Sequence, residues 1–471
     1  GMNSTNILKL DVSDDKVSFA SSIETARQAA EAEQYKLEET IQSVRLLKPE
    51  CDKLDYALAA SSGALCGLID IFLVGKPGES PIGKLTDQWF TKRTMDFAKL
   101  CGWDGKGDAS SAIRCLEKKF CVPYDQRGAG DAAAAVFSLS PKDHHFKSLG
   151  HNPTLLGLFF SILDQFTNQS HFVSGGELIS LQDADGSFKL QGNNIPSKLF
   201  CGFANWFGHL ISDISGSSGS KGRGMGIPSP FWAWTNDIIA IKRSLNMPVS
   251  EFDHNLNELA LSIYKKGYDF RFQTAQLIPV FINETIVRLI YAVRRMIKYF
   301  VETDGTERSA SAMWNACEPF TNPTVKRMLT VAHGTFCLID LGDATMRGFA
   351  AGGGSLNVTE FFLRLNVAGV GRFTISLYGE AKRAVNVYKA EADARFAERE
   401  KKIIENYQKG LSELSRIYDD RNLVNFVHDL KCSDMYEQAL LKSAILAEKR
   451  NVPESEILRK KQDIDFYFRG R

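Results

Sequence analysis

Between Asp52 and Gly75 the chain reads DKLDYALAASSGALCGLIDIFLVG, apolar nearly all round a helix, with Asp70 the acid inside its apolar run. A helix with no polar side must be covered on every side, and this stretch constrains the fold more than any other. Gly63 and Gly67 make a Gly-x-x-x-Gly step that lets a second helix approach closely. The length before the Lys76-Pro77-Gly78 break is borderline for a membrane span, and Asp70 counts against one. We read it as the central helix of a large soluble protein.

Comparable apolar stretches recur at 153–167, 196–215 and 327–342. Between them run amphipathic helices with clear punctuation. Ser21 and Glu24 make a capping box for a helix to about Leu47. Ser80-Pro81 and Ser229-Pro230 pair an N-cap with proline at the first helical position, Asp108 opens another helix, and Ser250 with Asp253 opens one that Gly267 closes. Phe270 to Val301 is long and amphipathic and contains Pro279. The expected fold is all-α, a large multi-helix assembly, with one small β-hairpin at 178–191, where LISLQ-DADG-SFKLQ alternates around an Asp-Gly tip. Asp183-x-Asp185-Gly186 is half a calcium loop, but the twelfth position from Asp183 is Asn194, so a turn is expected.

Three regions follow: an irregular 1–20, a main helical domain 21–379, and a charged arm with C-terminal helices at 380–471. In the arm, Val385, Tyr388, Ala392, Phe396, Ile403, Tyr407, Leu411 and Leu414 form a narrow stripe. The stripe suggests a hairpin or coiled coil, packed on the Ser21–Leu47 helix or on the helix after Asn425, and a route to a homo-oligomer through 380–417. With 471 residues, 44% hydrophobic, the chain can bury one large core or two to three domains. Gly1 ahead of Met2 reads as a tag remnant, and no secretory signal follows it.

A formal net charge of +1 disfavours a nucleic-acid partner, which calls for a clustered basic excess. The nine cysteines are odd in number, scattered, and without a Cys-x-x-Cys pair. They fit free thiols in a cytoplasmic protein rather than disulfides or a cysteine zinc site.

Candidate chemistry rests on acids set in apolar helices: Asp70, Asp164, Asp213 and Asp340, with Asp343 close behind the last. A carboxylate in such surroundings must be paired, hydrogen-bonded, protonated or metal-bound. His209 and Asp213 stand four residues apart, one helix face, a spacing suited to a shared metal ion; His333 stands seven residues before Asp340. The bland alternative is that each acid bonds a neighbouring backbone or base. The hinge SGSSGSKGRGMG (215–226) offers Lys221 and Arg223 to an anion, but it matches neither the phosphate-loop nor the dinucleotide pattern and reads as an exposed loop between two buried aromatic arms. SGALCGLIDIF (62–72) and HGTFCLIDLGD (333–343) echo one another. A duplication would explain the echo, but no helical repeat period recurs elsewhere, which favours convergent composition.

Two functions fit these features. The first is a non-catalytic helical protein that acts by contact, with a protein partner or peripherally at a membrane surface. The second is a metal-dependent hydrolase that gathers Asp70, Asp164, His209, Asp213, His333 and Asp340 around one all-α cleft. No organic cofactor is implied, and a divalent metal is the only candidate.

Overall fold

The computed structural model describes residues 16–120, 141–182, 192–219, 226–419, 425 and 436–469. The chain is all-α with one two-stranded antiparallel hairpin, in line with the sequence. It divides into two compact units: Pro49–Ala381, and Gly1–Lys48 together with Lys382–Arg471.

The larger unit is organised around the stretch from Asp52. Its helix, Lys53–Ile69, starts at a capping box between Asp52 and Asp55 and runs into a π-helical turn, Asp70–Val74. It lies parallel to Pro323–Ala351, in van der Waals contact through the two glycines. A Cβ on Gly63 would collide with the Ala332 carbonyl oxygen, and one on Gly67 would come within 3.0 Å of the Ile339 side chain. The two echoing segments are thus packed side by side, with Cys66 and Cys337 in one buried cluster. Phe270–Glu302 runs antiparallel to this pair. Ser62 Oγ donates to Asn283 Oδ1 at 2.7 Å, and Arg294 pairs with Asp52 and Asp55 at the far end. The first turns of Val367–Asp419 complete the group: Phe373 packs over Gly334, and Arg327 bonds Glu380 at 2.8 Å.

The expected caps are present. Ser80, Asp108, Ser229 and Ser250 each accept a hydrogen bond from the helix they open. Pro279 sits inside a continuous helix. The hairpin differs from expectation. Glu177–Gln182 pairs with Gln169–Ser174 through Gly175-Gly176, both at positive φ as a tight hairpin turn requires. The Asp183-Asp185-Gly186 tip and its second arm lie outside the described residues, as do Lys221 and Arg223.

Burial also departs from the sequence reading. The central helix is covered on two sides only, and just 39% of its most apolar stretch is buried. Phe200, Phe203 and Phe207, expected in the core, are exposed, while Asn205, His209, Ser212 and Asp213 of the same helix are buried. Ser218 and Gly226, near the two described ends of the hinge, are buried as well. Ser218 N donates to Asp269 Oδ2 at 3.1 Å, and Tyr264 Oη donates to the Gly226 carbonyl at 2.7 Å.

In the smaller unit the first helix is already formed at Lys16, ahead of Ser21. Lys401 bonds Glu38 at 2.8 Å and Lys48 pairs with Glu391 at 2.5 Å. Its buried face runs through Ala394, Ala397 and Leu411, whereas Val385, Tyr388, Phe396 and Ile403 are exposed. Alanine lets the helix approach closely while the long Lys and Glu stems reach over the seam.

Gly63→Ala should destabilise the protein by about 1–3 kcal/mol, the usual cost of overpacking. Gly371→Ala, inside a helix with no atom within 4 Å of its would-be Cβ, should stabilise it by about 0.5–1 kcal/mol. Thermal unfolding of the two variants beside the parent checks both signs.

Candidate metal centre

His209 and Asp213 project from the last turns of Ile195–Ile214. The helix exposes phenylalanine on one side, so its polar side is turned inward and needs partners. They come from a segment that carries no apolar periodicity: the short helix Pro141–Lys147 and the 3₁₀ turn Leu149–His151, which bring His144, His145 and His151.

Backbone and amide bonds fix that segment. Asn236 Nδ2 donates to the Phe146 carbonyl at 2.6 Å, Trp206 Nε1 to the Asn152 carbonyl at 3.0 Å, and Asn152 Nδ2 to Asp237 Oδ1 at 3.2 Å. Asn257 Nδ2 in turn holds Asn236 Oδ1 at 2.7 Å. Phe146 and Leu149, between His145 and His151 in the chain, are fully buried and act as apolar anchors.

The result is a buried cluster of four of the chain's eight histidines and one carboxylate. His209 Nε2 lies 2.6 Å from His151 Nε2 and 3.0 Å from Asp213 Oδ2. Asp213 Oδ2 lies 3.4 Å from His145 Nδ1 and 4.0 Å from His151 Nε2. Metal–ligand bonds of about 2.0–2.1 Å put the donors of a tetrahedral site roughly 3.3 Å apart, within the range spanned by these distances. Two overlapping three-ligand groups result, His151/His209/Asp213 and His144/His145/His151, with His151 common to both.

The protonation states suit ligation. Burial, and then the neighbouring imidazoles, hold His144 and His151 well below the usual histidine range, which keeps both neutral, the form that ligates a metal. Burial works against ionisation of Asp213, but the imidazoles of His145 and His209 outweigh it, and the carboxyl lies below its ordinary range. Four imidazoles beside a buried carboxylate make a nitrogen- and oxygen-rich donor set suited to zinc and its neighbours.

The other candidates from the sequence have partners of their own. Asp70 and Asp340 hydrogen-bond one another, which requires a proton between them. Asn366 caps the pair, its Nδ2 donating to Asp70 Oδ1 at 2.5 Å and its backbone N to Asp340 Oδ2 at 2.8 Å. Asp343 bonds Arg347 within its own helix at 2.8 Å. His333, expected near the metal candidates, lies 3.6 Å from Glu284, which also takes Arg288 and Arg372. These acids do their satisfying locally, as buried charge must.

Asp164 Oδ1 and His171 Nδ1 share a 2.6 Å hydrogen bond, tying Leu155–Thr167 to the first hairpin strand. The six-residue cleft is therefore divided among separate sets, of which only His209 and Asp213 join the new histidines. His144, His145 and His151 went unnoticed because they lie outside the apolar helices. The spacing His-His-x5-His, in a chain with few histidines, was the available signal.

Comparison with known protein families, with curated protein sequences and with solved structures finds no match.

Burial pushes the Asp164 carboxyl up to about 6, with His171 opposing it. A folded-state pKa raised above the unfolded value of about 3.9 gives stability that is present below that value and is lost as pH rises through about 6. Asp164→Asn should abolish this part of the slope. Unfolding midpoints of parent and variant, compared between about pH 4 and 7, test it; parallel curves would contradict the assignment.

Proposed function

We propose that this chain is a metal-binding helical protein that holds one divalent transition-metal ion, zinc by preference, between Ile195–Ile214 and the 141–151 segment. The observation that carries the reading is the convergence of His151, His209 and Asp213, from two separate elements, onto one buried point, with His145 Nδ1 3.4 Å from Asp213 Oδ2. A cation there would compensate the buried Asp213 carboxylate and engage the imidazoles packed round it. His151, His209 and Asp213 supply three ligands. His145, whose side chain is 13% exposed, is the fourth and the one nearest solvent.

Four protein ligands close the coordination sphere, which is the pattern of a structural zinc site. Bound there, the ion fastens the 141–151 turn to the helix that carries His209. Asp213 supplies the negative charge, and His144 backs the site as a neutral neighbour.

Elemental analysis of the full chain, purified without a histidine tag, should find about one equivalent of zinc or a related metal. His151→Ala and Asp213→Asn should lose it, and a chelator should lower the unfolding temperature of the parent but not of either variant. Cobalt(II) substitution should give the intense visible bands of a tetrahedral site. A metal-free preparation that neither takes up zinc, nickel, cobalt or manganese nor gains stability from them would reject the reading.

A further inference from the structure

Several helices of the larger unit carry apolar side chains on their outer sides as well as in their buried clusters. Water-soluble helices turn apolar stripes inward. Here the interior of the group formed by Lys53–Ile69, Phe270–Glu302, Pro323–Ala351 and 367–381 sets the Ser62–Asn283 bond and the Asp70–Asp340–Asn366 cluster among buried apolar side chains such as Val287, Met328 and Phe336, while Glu284 with its two arginines lies half-buried at its edge beside His333. The outer sides hold hydrocarbon.

On Phe270–Glu302, Leu277, Phe281, Leu289, Val293 and Ile297 are exposed along one row at four-residue spacing. Thr285, the polar member of that row, donates its hydroxyl back to the Phe281 carbonyl at 2.9 Å. On the first helix and its π turn the exposed row is Leu65, Leu68 and Phe72, and on Pro323–Ala351 it is Leu338 and Leu341. Only 39% and 33% of the most apolar stretches of Lys53–Val74 and Phe270–Glu302 are buried. A core helix of a soluble protein would not leave such rows open.

We propose that this four-helix group is immersed in a lipid bilayer, with the acyl chains covering its outer rows. Three observations select lipid over a second protein. First, the rows lie on the outer sides of different helices, so one docking partner would cover only some of them. Second, the lengths fit. From Leu277 to Ile297 the row spans about 30 Å at 1.5 Å per residue, the thickness of a hydrocarbon core. Third, one end of the group carries an interfacial collar. Lys53 and Lys298 are exposed there beside the Arg294 and Arg295 pairs with Asp55, and Tyr56 and Trp314 are exposed nearby. Basic and amphipathic aromatic side chains together match anionic headgroups.

The polar bonds buried among these helices have the same explanation. In hydrocarbon, helices associate through small residues and interhelical hydrogen bonds, as at Gly63, Gly67 and Asn366, and ionisable groups face inward and pair.

The test uses the full chain with vesicles of phosphatidylethanolamine and phosphatidylglycerol, some of the lipid carrying a photoactivatable diazirine in its acyl chain. The chain should remain with the vesicles through an alkaline carbonate wash. Lipid adducts should map to the 65–72 and 277–297 peptides. Phe281→Glu combined with Leu289→Glu should lose vesicle retention, and Leu245→Glu, an exposed position outside the group, should keep it. The adduct map is read on the parent chain, so it does not depend on the folding of the double variant. Recovery of the parent in the supernatant, or retention on the vesicles without lipid adducts at these peptides, would overturn the proposal. Neither result depends on whether the histidine cluster holds metal.

Discussion

The Ala332 carbonyl oxygen occupies the space where Gly63 would carry a side chain. Much of the larger unit depends on that contact. Two helices can lie this close only where no Cβ intervenes, and the approach aligns their polar residues as well as their backbones. Asp70 and Asp340 are brought to one level, and Asn366 can then bond both of them and, through its Nδ2, the Gln276 carbonyl at 2.9 Å. Gln276 passes the connection on to the Leu365 carbonyl at 3.0 Å. One steric fact thus draws four chain segments into a polar knot inside a group of otherwise apolar helices.

The histidine cluster is built differently. No close helix approach defines it. A turn rich in histidine is pinned by amide bonds from Asn236 and Trp206 and by the buried rings of Phe146 and Leu149. The helix that faces it turns Asn205, His209 and Asp213 inward and phenylalanine outward. With the charged and polar groups placed inside, each must be satisfied there, by a partner side chain in the helix group and, on our reading, by a metal ion at the histidines.

Part of this was legible in the residues. The Gly63/Gly67 step announced a close helix contact, whereas the likeness of 62–72 to 333–343, read as convergent composition, did not say that these two segments make it. His209 and Asp213 were legible as a pair because four-residue spacing is a property of one helix. Their partners were not, since His145 and His151 reach them only through the folding of a distant segment. The assignment of Phe200, Phe203 and Phe207 to the core failed for a related reason. Periodicity shows that a helix has an apolar side, and it is silent about the medium that side meets.

By itself the sequence determined the helices and their ends. Ser80-Pro81, Ser229-Pro230 and the Ser250–Asp253 box act on amides within one turn, so the chain needs nothing distant to obey them. It also determined that every acid in an apolar helix would need a partner. The tertiary structure decided which partner each acid received, which side of each helix faced inward, and that hairpin strand 177–182 pairs backward through Gly175-Gly176. Those outcomes depend on contacts between residues far apart in the chain, whose energies no local pattern encodes.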